Sequence, residues 1–233
     1  MKKVQLTYFG MEEMTDKYVG RRGAFQELLK ATDILIANQI APRWQVFINE
    51  ENKEQIIQLV DLADILQLEE KCASFGESFE LFVHCGSCDG ENRKLYNIRI
   101  EKDHIPEKII PYYLNYDKAM TEQDCCKLLE EDTSHIVYHN NEEIVLNVSN
   151  SFDVYFNFTH MTETWKIGNL KNTDPEEMVR RIVEEDIDAL NAAKAIKVKE
   201  LVERYGNRYS KRTFFIEDYK SYLLNCYIEE SGK

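Results

Sequence analysis

His84, Cys85 and Cys88 make the most metal-like stretch of the chain, "HCGSC" at 84–88. A C-x2-C pair supplies two thiolates from one turn, half of the four ligands a structural zinc ion takes. No second C-x2-C follows, so Cys125, Cys126, His135 or His139 would complete a site only if the fold gathered them. The residues alone favour ordinary loop cysteines over a metal site or a redox dithiol. His135 and His139 stand four apart, a helix spacing, yet Ile136, Val137 and Tyr138 between them favour a strand and a scattered, non-ligand pair. Glu12, Glu13 and Asp16 are acidic enough for proton transfer but have no base beside them, and a solvated loop accounts for them. Arg21 and Arg22, in "GRRG", form a compact basic spot. A guanidinium there meets a carboxylate through two parallel hydrogen bonds, or simply offsets the acidic loop.

The elements that must position these residues follow from periodicity. Val4–Phe9 alternates and is β-prone, and predicts a strand. Residues 10–22 are polar with two glycines and predict a loop. Phe25, Leu28, Leu29, Thr32, Leu35 and Ile36 share one face of a helix over Gly23–Asn38. "RWQVFI" (43–48) predicts a second strand, with Gln45 near its middle and Asn49 just past its carboxyl end. Asn49 reads as a polar group facing a site or, better, as a turn residue bonding its own backbone. Ile56, Leu59, Val60, Ala63 and Leu66 mark a second helix, and "FELFVH" (79–84) a third strand. Strand–helix alternation of this kind predicts a parallel sheet whose chemistry sits at the carboxyl ends of its strands.

Beyond residue 100 the pattern changes. "TEQDCCKLLEED" predicts a short helix capped by Thr121. "EEIVLNV" and "FDVYFNF" predict a hairpin around "SNS", and "WKIGNL" a tight loop in which Gly168 or Asn169 takes positive φ. Asp174, Pro175 and Glu177 have capping-box spacing ahead of helices filling most of 175–205, and another helix spans about 215–228. The division expected is an α/β region over 1–110 and a small α+β region over 111–233, with the boundary between roughly 105 and 142.

Composition limits the partners. With 29 Lys and Arg against 42 Asp and Glu, the net charge is −13. That excludes wrapping nucleic acid or lying on an anionic membrane as the default role. No apolar run is long enough to span a bilayer and no charged-then-apolar leader opens the chain, so a cytoplasmic location is expected. The six cysteines show no disulfide-like framework, which fits reduced thiols.

The series "LTYFG" (6–10), "TD" (15–16), "GRRGAF" (20–25) and "VFINEEN" (46–52), with Asn49 and Asn52 in N-xx-N spacing, resembles the later half of the partial (β/α) barrel of radical S-adenosylmethionine (SAM) enzymes that carry a SPASM or twitch extension. "FDVYFNF" and "WKIGNL" loosely resemble the extension itself. The resemblance covers about 4–100, and 143–172 loosely. It implies a partial TIM-like barrel followed by a small α+β region. It also implies that Thr7, Arg21, Arg22, Gln45 and Asn49 line a SAM and substrate pocket, with one of the two arginines on the methionine carboxylate.

The departures are as informative. No C-x3-C-x2-C occurs, so the [4Fe–4S] cluster that cleaves SAM in this family is not expected in this chain alone. Phe156 and Asn157 stand where the extension's Pro-Cys would be. The resemblance therefore implies the rear portion of such an enzyme, inactive by itself: either a C-terminal fragment whose front half a separate polypeptide supplies, or a truncated or degenerate member, with a peptide or protein as the substrate class. A non-enzymatic binding or adaptor protein derived from the fold is the alternative, and an unrelated α/β domain with zinc on the CGSC loop a third.

Overall fold

The computed structural model describes residues 3–137, 144–156 and 161–231. The chain is a mixed α/β protein with small sheets, in two units: Met1–Gly86 with Ile98–Ala119, and Ser87–Asn97 with Met120–Lys233. The stretch 87–97, read from sequence as part of the first region, belongs to the second. Among the described residues no helix is long and apolar enough to cross a membrane.

In the first unit β1 (Lys3–Tyr8), β2 (Ala41–Phe47) and β3 (Glu80–His84) form a parallel sheet in the order β1-β2-β3. Thr7 lies level with Gln45, and Gln45 with Phe82. Between the first two strands come α1 (Glu12–Val19) and α2 (Ala24–Ala37), and between the second and third α3 (Lys53–Ile65) and α4 (Leu68–Ala73). Strands in sequential order joined by right-handed crossovers carry their helices on one face.

That face holds the core. Tyr8, Trp44, Val46 and Val83 are fully buried. Thr32 of α2 ties helix to sheet: its Oγ1 accepts from Trp44 Nε1 at 3.1 Å and lies 3.3 Å from the Tyr8 hydroxyl. Ile56, Leu59, Val60 and Ala63 form the buried stripe of α3. At the far edge of β3, Leu114 N donates to Val83 O at 2.8 Å. The outer edge of β1 pairs with no other strand among the described residues.

Helix α1 replaces the expected loop. Its first turn holds Glu12 and Glu13 and its last holds Lys17, signs that suit the helix dipole, and Gly20 ends it in the left-handed conformation at φ +73°. Gly10, at φ +136°, makes the turn out of β1. A Cβ there would meet Gln55 Oε1 at 3.0 Å and Met14 Cβ at 3.1 Å.

The second unit contains β4 (Met120–Thr121), α5 (Glu122–Leu129), β5 (Leu146–Val148), β6 (Asp153–Phe156), β7 (Lys166–Asn169), α6 (Pro175–Val183), α7 (Asp188–Ala195), α8 (Val198–Tyr205), β8 (Thr213–Phe214) and α9 (Ile216–Ser231). The hairpin forms as β5 and β6, antiparallel, and β7 extends it. "WKIGNL" is thus largely a strand rather than a tight loop, and neither Gly168 nor Asn169 has positive φ. Gly168 is needed for close approach instead: a Cβ there would lie 2.8 Å from both Met178 Cγ and Thr173 Cγ2. Phe156 is a buried core residue parallel to Trp165, with ring centroids 6.5 Å apart. Asn157, Tyr138 and His139 lie outside the described residues. Thr121 caps α5 by accepting from Asp124 N at 3.1 Å, and Asp174 caps α6 by accepting from Glu176 N at 2.9 Å. Glu177 pairs with Arg180 instead of closing a capping box.

Candidate functional site

The sheet of the first unit buries one set of side chains against helix α2, through Thr32, and carries a second set on its other face. On the second face Thr7, Phe9, Arg43, Gln45, Phe47, Phe82 and His84 are only partly buried. Period-2 alternation sorts them there, opposite Tyr8, Trp44, Val46 and Val83. An all-parallel sheet is ordinarily covered on both faces.

Two networks organise it. Gln45 is the polar hub: Oε1 accepts from Gln5 Nε2 at 2.8 Å and from Thr7 Oγ1 at 3.1 Å, and Nε2 lies 2.9 Å from His84 Nε2. The first two bonds set the amide so that Gln45 Nε2 donates, which leaves His84 Nε2 as acceptor and puts the imidazole proton on Nδ1. Burial pushes the His84 pKa down, a backbone bond at Cys85 opposes this, and the Arg99 charge adds to the lowering. The ring is neutral at pH 7.

The second network is aromatic. Phe9 stacks between Tyr18 (5.4 Å) and Phe47 (5.5 Å), Phe47 lies 4.5 Å from the His84 ring, and His84 stacks on Phe82 at 5.8 Å. The Arg43 guanidinium covers Phe82 at 4.2 Å and is held by Glu80, which also binds Lys3. The result is a row of rings across the carboxyl half of the sheet, interleaved with amide and hydroxyl groups. The imidazole in this row, His84, is already hydrogen-bonded to Gln45.

The expected site residues divide in this setting. Thr7 and Gln45 are brought together on the second face. Arg21 is paired on the surface: its two terminal nitrogens lie 2.6 Å from the two carboxylate oxygens of Glu27. Arg22 is exposed and makes no hydrogen bond or ion pair among the described residues. Asn49 takes the turn role: Oδ1 accepts from Glu51 N at 2.8 Å and Asn52 N at 3.1 Å, and Nδ2 donates to the Tyr18 hydroxyl at 2.9 Å. Tyr18 in turn donates to Glu51, and burial pushes its pKa up to about 12.

Asp16 is not a loop acid but the cap of α2, accepting from Gly23 N at 2.5 Å and Phe25 N at 3.0 Å. Those backbone bonds, Phe25's first, hold its pKa below the ordinary value. The first amides of α2 are therefore already satisfied from within.

Asn52 was visible in the sequence only as the second half of N-xx-N. It is fully buried, and its Nδ2 donates to both Phe9 O and Phe47 O at 2.8 Å. Its Oδ1 accepts from Asn49 N at 2.7 Å. One amide thus fastens the carboxyl ends of β1 and β2, where the site's residues emerge.

Cys88, Cys125, Cys126 and Cys226 share the core of the second unit, but no cysteine belongs to a group at metal-ligand distance among the described residues. All six are buried and none forms a disulfide. Cys85 belongs to the first unit, where its Sγ accepts from Tyr113 OH at 3.2 Å, and Cys88 to the core of the second. Burial raises the pKa of Cys72, Cys126 and Cys226, which suppresses thiolate formation. His135 Nδ1 donates to Ile196 O at 3.0 Å. Among the described residues the one group with metal-ligand proximity is Glu101, Asp103 and His104, partly or fully exposed, and it includes no cysteine. The residues present therefore do not fit an iron–sulfur cluster, which needs thiolates converging on it.

Compared with known proteins, the chain matches no protein-family model, no curated protein and no solved structure.

Proposed function

We propose that the first unit is the rear part of a partial (β/α) barrel of the radical SAM type, and that its polar and aromatic sheet face walls part of a SAM and substrate pocket. The observation that carries this reading is the parallel sheet with helices over one face and the Thr7–Gln45–His84 network on the other. In a β/α barrel the second face is the interior, and ligands meet it at the carboxyl ends of the strands. The unpaired edge of β1 is where further strands, supplied by another polypeptide segment, add to the sheet. Thr7 and Gln45 then face the cofactor and Arg22 is the free cation for its carboxylate. A peptide or protein is the substrate class the resemblance implies. No [4Fe–4S] cluster is held by this chain, so it does not cleave SAM by itself.

A non-enzymatic binding or adaptor protein is the second reading. It is favoured by Arg21 and Asn49, both committed to bonds within the chain. Two measurements on the purified chain test these readings, the first the expected inactivity and the second the choice between them. Anaerobic incubation with iron, sulfide, dithionite and SAM is expected to give no 5′-deoxyadenosine; its formation overturns the prediction of inactivity. A SAM titration followed by amide NMR is expected to shift Thr7, Gln45 and Arg22 selectively. If those amides do not respond, the pocket reading falls and the adaptor reading stands.

A further inference from the structure

The second unit has its own cleft, of about 380 Å³, lined by Arg93, Lys94, Tyr96, Asn97 and Tyr222. We propose that it binds a small molecule through a phosphate or carboxylate group. This proposal is independent of the SAM reading, since every lining residue lies in the second unit.

The walls are fixed: Tyr96 and Arg93 are paired within the unit, while the side chains of Lys94 and Asn97 have no such partner among the described residues. Tyr96 is clamped on both faces: its ring stacks on Tyr222 at 4.7 Å and 3°, and the Arg212 guanidinium covers the other side at 4.5 Å. Arg212 Nε also donates to Tyr96 O at 2.8 Å, and Tyr96 OH donates to the buried Glu122 at 2.8 Å. With both its faces taken, Tyr96 offers a ligand no platform for stacking. Recognition falls to the polar groups of the 3-10 turn Gly90–Ile98.

Of these, Arg93 is held by an ion pair with Glu229 of α9. Lys94 and Asn97 make no hydrogen bond or ion pair among the described residues. The exposed ammonium of Lys94 and amide of Asn97, on the wall of one cleft, offer donors to an anionic group with several acceptor oxygens, and Arg93 could join them only by leaving Glu229.

The test is a titration of the full chain with inorganic phosphate, and separately with citrate, at constant ionic strength, following the amides of 93–97 by NMR. Saturable shifts confined to the cleft are expected with at least one anion, and K94Q is expected to weaken binding roughly tenfold without lowering Tm, as loss of one charge-assisted bond predicts. N97A, which keeps the charge, is the second variant and is expected to weaken binding less. Saturation by phosphate alone identifies a phosphorylated ligand, and by citrate alone a carboxylate ligand. No saturable response to either anion, or binding unchanged in both K94Q and N97A, overturns the proposal.

Discussion

Gln45 Nε2 lies 2.9 Å from His84 Nε2, and the opposite end of the same amide accepts from Thr7. A neutral imidazole suits this arrangement, because a protonated ring would turn an N–H toward the donor amide. Burial already holds the His84 pKa down. The unfolded chain therefore takes up a proton near pH 6.5 before the folded one does, so this stability is complete above that pH and is lost as pH falls toward the folded pKa. Thermal unfolding between pH 7.5 and 5.5 is expected to show a falling Tm in wild type and a smaller fall in H84Q. Equal slopes would remove His84 as the cause.

Asn52 secures the two strand ends from which the candidate site projects. N52A leaves Phe9 O, Phe47 O and Asn49 N without their side-chain partner. The expected loss is about 2–4 kcal/mol in urea unfolding, from several buried backbone groups left unsatisfied. A loss under 0.5 kcal/mol, roughly the size of an ordinary surface substitution, would mean that water or a local shift replaces the amide.

Glu122, fully buried, accepts from Tyr96 OH at 2.8 Å and Tyr219 OH at 3.2 Å. The Tyr219 hydroxyl also lies 3.1 Å from Cys126 Sγ. E122Q keeps an acceptor for one phenol and is expected to unfold at a higher urea concentration than E122A. E122A removes the carboxylate acceptor of both phenols and is expected to lose about 2–4 kcal/mol. The reverse order would show that the carboxyl is not what these tyrosines depend on.

Gly168 tests close packing rather than backbone conformation. G168A forces a methyl against Met178 and Thr173, and overpacking of this kind costs about 1–3 kcal/mol. In G168A/M178A the contact with Met178 is relieved, so a double-mutant cycle is expected to show coupling between the two positions. Strict additivity would place the strain elsewhere.

Residue alternation and helical periodicity determined much about this protein before folding was considered. The three strands, the stripes of α2 and α3, the cap at Thr121 and the hairpin of β5 and β6 all follow from spacings of two or of three to four, which a linear pattern records directly. Thr7 and Gln45 fall on one face for the same reason. Helix α1 escaped because only eight residues of mixed polarity form it, and its evidence is the order of its charges and Gly20. Asn52, Arg21 and Gly168 escaped for a different reason. What each does depends on where Phe9, Glu27 and Met178 come to lie. Only tertiary structure decided that Asn52 bonds two strand ends, that Arg21 is paired, that Cys85 and Cys88 serve different units, and that Arg93, Lys94 and Asn97 line one cleft. Periodicity fixes which way a side chain faces along its own element, whereas a site depends on distances between elements, and those are set by packing.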